Sequence, residues 1–142
     1  MPTVILPEQI HNLQQLEAVV NGPDGANRLF IINGQFDTSF QATGGNSSTG
    51  SFTVLLGPVL TRQQFFRAIA TASISRIMVS MIGLPNGYNY AITDIDADWD
   101  DESGKVQLRL EVSAMAGGPP NNLVNITGIT FQVSVLAALP SQ

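Results

Sequence analysis

The sequence predicts a mostly β (α+β) fold: an antiparallel sheet or sandwich of about seven strands with one or two short helices. Three stretches carry that prediction. Ala91 to Ala114, AITDIDADWDDESGKVQLRLEVSA, alternates apolar and polar residues on both sides of an acidic turn ending in Gly104. Near the C-terminus Ile129, Phe131, Val133 and Val135 alternate with Thr130, Gln132 and Ser134. Ser51 to Leu60, SFTVLLGPVL, is an extended apolar run that Gly57-Pro58 bends or ends. At 142 residues, the chain has the length of one domain, 1–142, with a real core.

Taken in order, Thr3 to Leu6 lies between Pro2 and Pro7 and suits an N-terminal arm (1–6) or an edge strand, with Val4, Ile5 and Leu6 as its apolar contacts. Pro7 to Val20 has apolar Ile10, Leu13, Leu16, Val19 and Val20 at three-to-four spacing, with Pro in the first turn. Asn21-Gly22-Pro23 closes the stretch, so it predicts a helix. His11, the single histidine, falls among the polar residues of that helix and is expected to be solvated. Asp24 to Asn27 reads as a loop, and Arg28 to Ala42 as a strand with a bulge or turn at Gly34. Ala42 to Ser51, ATGGNSSTGS, reads as a flexible polar loop.

Thr61 with Gln64 forms a capping-box pattern that opens a second predicted helix over Thr61 to Ala72. Ser73 to Leu84 suits a strand buried on two sides, and Pro85-Asn86-Gly87 a tight turn. In the central hairpin a four-residue loop, Asp101 to Gly104, pairs Asp100 with Lys105. Trp99 then faces Val106, Ala97 faces Leu108, Ile95 faces Leu110 and Thr93 faces Val112. Asp98, Asp96 and Asp94 meet Gln107, Arg109 and Glu111 on the other face. The opposite charges Asp100–Lys105 and Asp96–Arg109 contribute roughly 0.2–1 kcal/mol each, and Asp94 opposite Glu111 costs about as much. After a loop over Met115 to Asn122, a last strand from Leu123 to Ala137 completes an expected four-stranded meander with the hairpin and the strand before it.

Charge is sparse and localised. Charged residues make up 12% of the chain, about half the usual share, and there is one lysine, Lys105. Net charge is −5, and six of the eleven acids lie between Asp94 and Glu102. The remaining five acids face six scattered bases, so there is no positive footprint and nucleic acid is excluded as a partner. The absence of cysteine excludes disulfides and thiolate chemistry. No run is long and apolar enough for a membrane span, and MPTVILPEQI lacks the form of a signal peptide. A virion or extracellular assembly and the cytoplasm are equally open as locations.

The candidate sites follow from these placements. Asp94-x-Asp96-x-Asp98 opens like an EF-hand loop but continues with Trp99 and Lys105 where Gly and Glu are required. A looser cation site, with Ca2+ as its natural occupant, would use Asp100, Asp101 and Glu102. The competing reading is a solvated acidic tip that keeps a sheet edge from aggregating. Tyr88, Tyr90 and Asn86 would make a carbohydrate platform, rings stacking on sugars and the amide binding hydroxyls. Trp99 shares a face with Ile95 and Leu110 and reads as core. The glycosylation pattern occurs at Asn46-Ser47-Ser48 and Asn125-Ile126-Thr127. No Ser/His/Asp or Cys/His set, separated carboxylate pair or phosphate loop is present, so no enzyme and no resident cofactor are expected. The expected function is a non-enzymatic structural protein, an oligomeric subunit of a virus-like, phage-tail-like or surface assembly that pairs with copies of itself or with other subunits. The alternative is a small-ligand or carbohydrate-binding β-domain.

Overall fold

The structure, a computed structural model, describes residues 2–23, 25–82 and 87–140. Eight strands follow in chain order: β1 (Thr3–Ile5), β2 (Ile10–Gly22), β3 (Gly25–Thr43), β4 (Asn46–Leu56), β5 (Phe65–Ser80), β6 (Tyr88–Trp99), β7 (Val106–Ala116) and β8 (Leu123–Ala138). They form two sheets of four, one ordered β1-β4-β7-β6 and the other β2-β3-β8-β5. Only β1 runs parallel to its neighbour. The mostly β fold is as the sequence predicts.

The core is the space between the sheets. From β7, Val106, Leu108, Leu110, Val112, Ala114 and Ala116 point inward and are buried. From β8, Val124, Ile126, Ile129, Phe131, Val133, Val135 and Ala137 face them. Phe30, Ile32, Phe36 and Ala42 of β3 and Phe52, Val54 and Leu56 of β4 extend both rows. Strict alternation in β7 produces this, because successive side chains leave opposite faces of a strand. Phe36 joins the layers, its ring centroid 5.8 Å from that of Phe52 and 6.2 Å from that of Phe131. Gly34 is no bulge. It makes room for Phe131, whose ring would lie 2.7 Å from an added Cβ. The register shift in β3 falls instead between Asp37 and Phe40.

Both predicted helices are strands. The turn Pro7–Gln9 is a single 3-10 turn closed by the Leu6 N–H donating to Gln9 Oε1, and the chain from Ile10 onward pairs with β3. Thr61 and Gln64 do form their capping box. The Gln64 N–H donates to Thr61 Oγ1 at 3.3 Å and the Thr61 N–H to Gln64 Oε1 at 2.9 Å. The turn does not propagate, because Ala68, Ala70 and Ala72 alternate with exposed Ile69, Thr71 and Ser73 and fit a sheet face better than a helix stripe. The expected loop Ala42 to Ser51 is also mostly strand: only Gly44 and Gly45 turn the chain between β3 and β4. Gly25 to Asn27, expected as loop, begins β3. The expected Pro85-Asn86-Gly87 turn lies, apart from Gly87, outside the described residues.

The meander is corrected as well. β5 is a strand over 73–80 as expected, but an edge with one face exposed at Ser73, Ser75, Met78 and Ser80 rather than a strand buried on two sides. It pairs with β8 in the second sheet, whereas β6 and β7 belong to the first. The β6–β7 hairpin keeps the predicted register from Trp99↔Val106 to Asp94↔Glu111. A shift between Ile92 and Asp94 then sets Ile92, not Thr93, opposite Val112. The Thr93 hydroxyl turns to the Glu111 carbonyl at 3.2 Å. Asp96 and Arg109 are in register without forming a close ion pair; among the described residues the ion pairs are His11–Asp37, Arg28–Glu17 and Arg76–Asp37.

Asn122 locks one end of the sandwich. Its side chain is fully buried, donates from Nδ2 to the Gly117 carbonyl at 2.9 Å, and accepts at Oδ1 from the Ile82 N–H at 2.7 Å. Its own carbonyl accepts from the Gly44 N–H at 2.9 Å. One residue therefore ties the end of β5, the β3–β4 turn and the β7–β8 connection. Asn122→Ala is expected to cost about 1–3 kcal/mol, because it leaves a buried site empty and the part-buried Ile82 N–H and Gly117 C=O without these partners. Urea unfolding checks this, with exposed Asn121→Ala expected to stay within about 0.5 kcal/mol of the parent.

Candidate interaction surface

Burying one face of a strand requires a partner layer, and β2 lacks one. It hydrogen-bonds along β3 from Val20↔Asn27 to Gln14↔Asn33, yet it extends past the cover of the opposite sheet. Of its thirteen residues only Ile10 and Val20 are even partly buried. Leu13, Leu16 and Val19 are 49%, 65% and 65% exposed. Opposite pairing fixes the two sides: Leu16, Ala18 and Val20 share the outer face with Leu29 and Ile31 of β3, and Glu17 and Val19 share the other with Phe30 and Arg28. The outer face continues along two rows. Ala18–Leu29–Leu136 ends on Arg67 of β5, and Leu16–Ile31 crosses Ser134 of β8 to Ile69 of β5, itself 61% exposed. The result is an apolar band over β2, β3 and part of β8, interrupted at Ser134 and flanked by Arg67 and by polar Asn33, Gln132, Thr71 and Ser73.

The predicted site residues lie elsewhere and apart from one another. Tyr88 and Tyr90 sit at the start of β6 with near-parallel rings, 6.4 Å between centroids and 9° between planes, both open to solvent. Asn86, their expected companion, lies outside the described residues. At the acidic turn Asp100 is committed locally: its Oδ2 accepts from the Ser103 N–H at 3.0 Å and from the Ser103 hydroxyl at 2.7 Å. Asp100 also closes the hairpin through its N–H to the Lys105 carbonyl, so its pairing with Lys105 is through the backbone. Asp101 and Glu102 are exposed beside it. Among the described residues no group of three or more metal-ligating side chains converges.

The N-terminal trio is docked on its own chain. β1 pairs in parallel with β4, Thr3↔Phe52 to Ile5↔Val54, which buries Ile5 and leaves Val4 and Leu6 exposed. Val4, Leu6 and Leu55 line an open hollow of about 290 Å³ beside Ser103 and Lys105.

Trp99, expected in the core, is instead half-buried at the sandwich's end and not part of the core cluster. Its Nε1 donates to the Leu60 carbonyl at 3.0 Å, and the Arg62 guanidinium lies 5.8 Å above the ring. His11 is exposed, as expected, and its Nε2 lies 3.1 Å from Asp37, which also holds Arg76. Asn125 is buried, which removes that glycosylation pattern from enzyme access, whereas Asn46 is exposed. The residues that sequence reasoning missed are those of β2, Leu13, Leu16 and Val19. Their three-residue spacing reads as a helix stripe, and a strand with both faces in water carries no period-two signal to contradict it. Among the described residues no helix is long and apolar enough to cross a membrane.

Comparison with protein-family models, with curated proteins and with solved structures finds no match to this chain.

Removing the Asp100 carboxylate tests the local role assigned to the turn. Asp100→Ala is expected to cost about 1–2 kcal/mol through loss of the two Ser103 bonds, read as a lower urea midpoint with an unchanged m-value.

Proposed function

We propose that this chain is a non-enzymatic structural protein, the subunit of a homo-oligomeric assembly such as a virus-like particle, a phage-tail-like device or a surface appendage. The observation that carries the reading is β2, an edge strand of thirteen residues with both faces largely in solvent and three large apolar side chains, Leu13, Leu16 and Val19, 49–65% exposed. A monomer that presents such an edge invites pairing with another chain. The apolar area of Leu16, Ala18, Leu29, Ile31 and Leu136, with Ile69 beyond Ser134, supports the same reading, since apolar area on a sheet face marks a contact surface. The low charge content leaves little repulsion between copies away from the acidic hairpin.

A second reading, a carbohydrate-binding β-domain, draws its support from the parallel, exposed rings of Tyr88 and Tyr90. It would replace the first if the chain were a monomer that bound glycans saturably and lost that binding in Tyr88→Ala.

Light scattering behind a sizing column gives the absolute mass. The expected outcome is a defined oligomer that Leu16→Lys with Ile69→Lys shifts toward smaller species while circular dichroism stays unchanged. A monomer at every concentration overturns the assembly reading.

A further inference from the structure

Each of the four sheet edges faces the same hazard: a row of peptide N–H and C=O groups with no partner on one side. Three are guarded. β1 is three residues long, sits between Pro2 and Pro7, and covers only Phe52 to Val54 of β4, whose uncovered part, Asn46 to Ser51, has no apolar side chain to hold a partner. β6 presents Asp94, Asp96 and Asp98 and is broken by the shift between Ile92 and Asp94. β5 carries exposed Arg67 and Arg76 and has shifts between Phe65 and Arg67, between Ile74 and Arg76, and between Arg76 and Ile77. β2 differs. From Gln14 to Gly22 its register with β3 is unbroken, it contains no proline, and its one charge is Glu17.

We propose that β2 pairs antiparallel with β2 of a second copy about a two-fold axis at Leu16, joining the two β2-β3-β8-β5 sheets into one continuous sheet. This inference rests on the assembly reading and names its surface and partner. Self-pairing is favoured by what that register brings together. Leu16 meets Leu16 of the partner subunit, so an apolar row runs Ile31, Leu16, Leu16 of the partner subunit, Ile31 of the partner subunit across the outer face. Gln14 meets Ala18 of the partner subunit. On the other face Gln15 meets Glu17 of the partner subunit, an amide beside a carboxylate, and Leu13 approaches Val19 of the partner subunit. An axis at Glu17 would instead set two carboxylates against each other. Charge selects the edge as well as the register. Two β6 edges would oppose their aspartates, whereas on β2 Glu17 already has Arg28 3.8 Å away. A two-fold contact uses the same patch twice and closes at two subunits, so wider assembly needs another surface, which the remaining outer-face band supplies.

The chain has no cysteine, so a single introduced one reports only contacts between copies. Leu16→Cys is expected to form a disulfide-linked dimer under mild oxidation. Gln14→Cys and Ala18→Cys alone are expected to link poorly, because each residue then lies about four positions, roughly 13 Å, from its own counterpart. Mixed, those two variants are expected to link at least about tenfold better than either alone, since opposite residues come within disulfide reach. Asp98→Cys on β6 is the control and is expected not to link. All four positions are exposed, and sizing and circular dichroism of the reduced proteins confirm the fold. An oligomer in which no β2 position links overturns this inference and leaves the assembly reading standing. Linking of Gln14→Cys or Ala18→Cys to itself in place of Leu16→Cys overturns the proposed axis. A monomer with no linking at any position overturns both.

Discussion

The facing of β7 on β8 is the contact on which the rest of the structure depends. Both strands are the inner members of their sheets, and their inward rows are almost wholly removed from water. Burial of apolar area at roughly 25 cal/mol per Å² makes this the main source of stability. It also imposes period-two patterning on any strand that joins the pair. β3 and β4 obey it, and Phe36 reaches across the gap to lock the layers together. With no disulfide to help, register and packing must suffice, and Asn122 closes the one end where several connections meet.

Once two strands take the centre of each layer, the remaining four are edges, and the chain treats them unequally. Acidic residues are spent on β6, prolines on β1, and irregular pairing with arginines on β5. From Gln14 to Gly22 β2 has only Glu17, which Arg28 neutralises, and its one irregularity lies before that stretch, between His11 and Gln14. This asymmetry links the charge map to the proposed function: the aspartate run between Asp94 and Asp98 need not hold an ion to be useful, because it keeps one edge solvated while another is left able to pair. The Asp100–Ser103 bonds fit the same picture of an acidic tip organised for folding the hairpin.

The candidate sites show where residue-level reading works. Trp99 falls on the face that alternation from the turn dictates, although it is half-buried and not part of the core. The shift between Ile92 and Asp94 moves Tyr88 and Tyr90 to the side of Ala116 and Ala114, opposite to what unbroken alternation would give; the parallel stacking of Tyr88 on Tyr90 is the direct result of two-residue spacing on one strand. The β2 surface was hidden for the converse reason. Ile10, Leu13, Leu16 and Val19 recur at helical intervals, and nothing local contradicts a helix when, past Ile10, the segment stays out of the core. β5 misled differently: its capping box is real and closes one turn, but the alanines after it are chosen for close packing on β8, an interaction more than fifty residues away in the chain.

By itself the sequence determined the β class, the β6–β7 hairpin with most of its register, the strand character of β8 and the confinement of negative charge to one strand. Each of these is set by neighbours within a few residues, through turn chemistry and side-chain alternation. Only the tertiary structure decided that β5 belongs with β8 and not with β6, that the polar stretch after Ala42 is strand, and that β2 is an extended edge. Those outcomes depend on which distant strand supplies the hydrogen-bond ladder and which layer covers the face. An edge strand with two wet faces takes its conformation from a partner's backbone, and backbone pairing leaves no periodic mark on side chains.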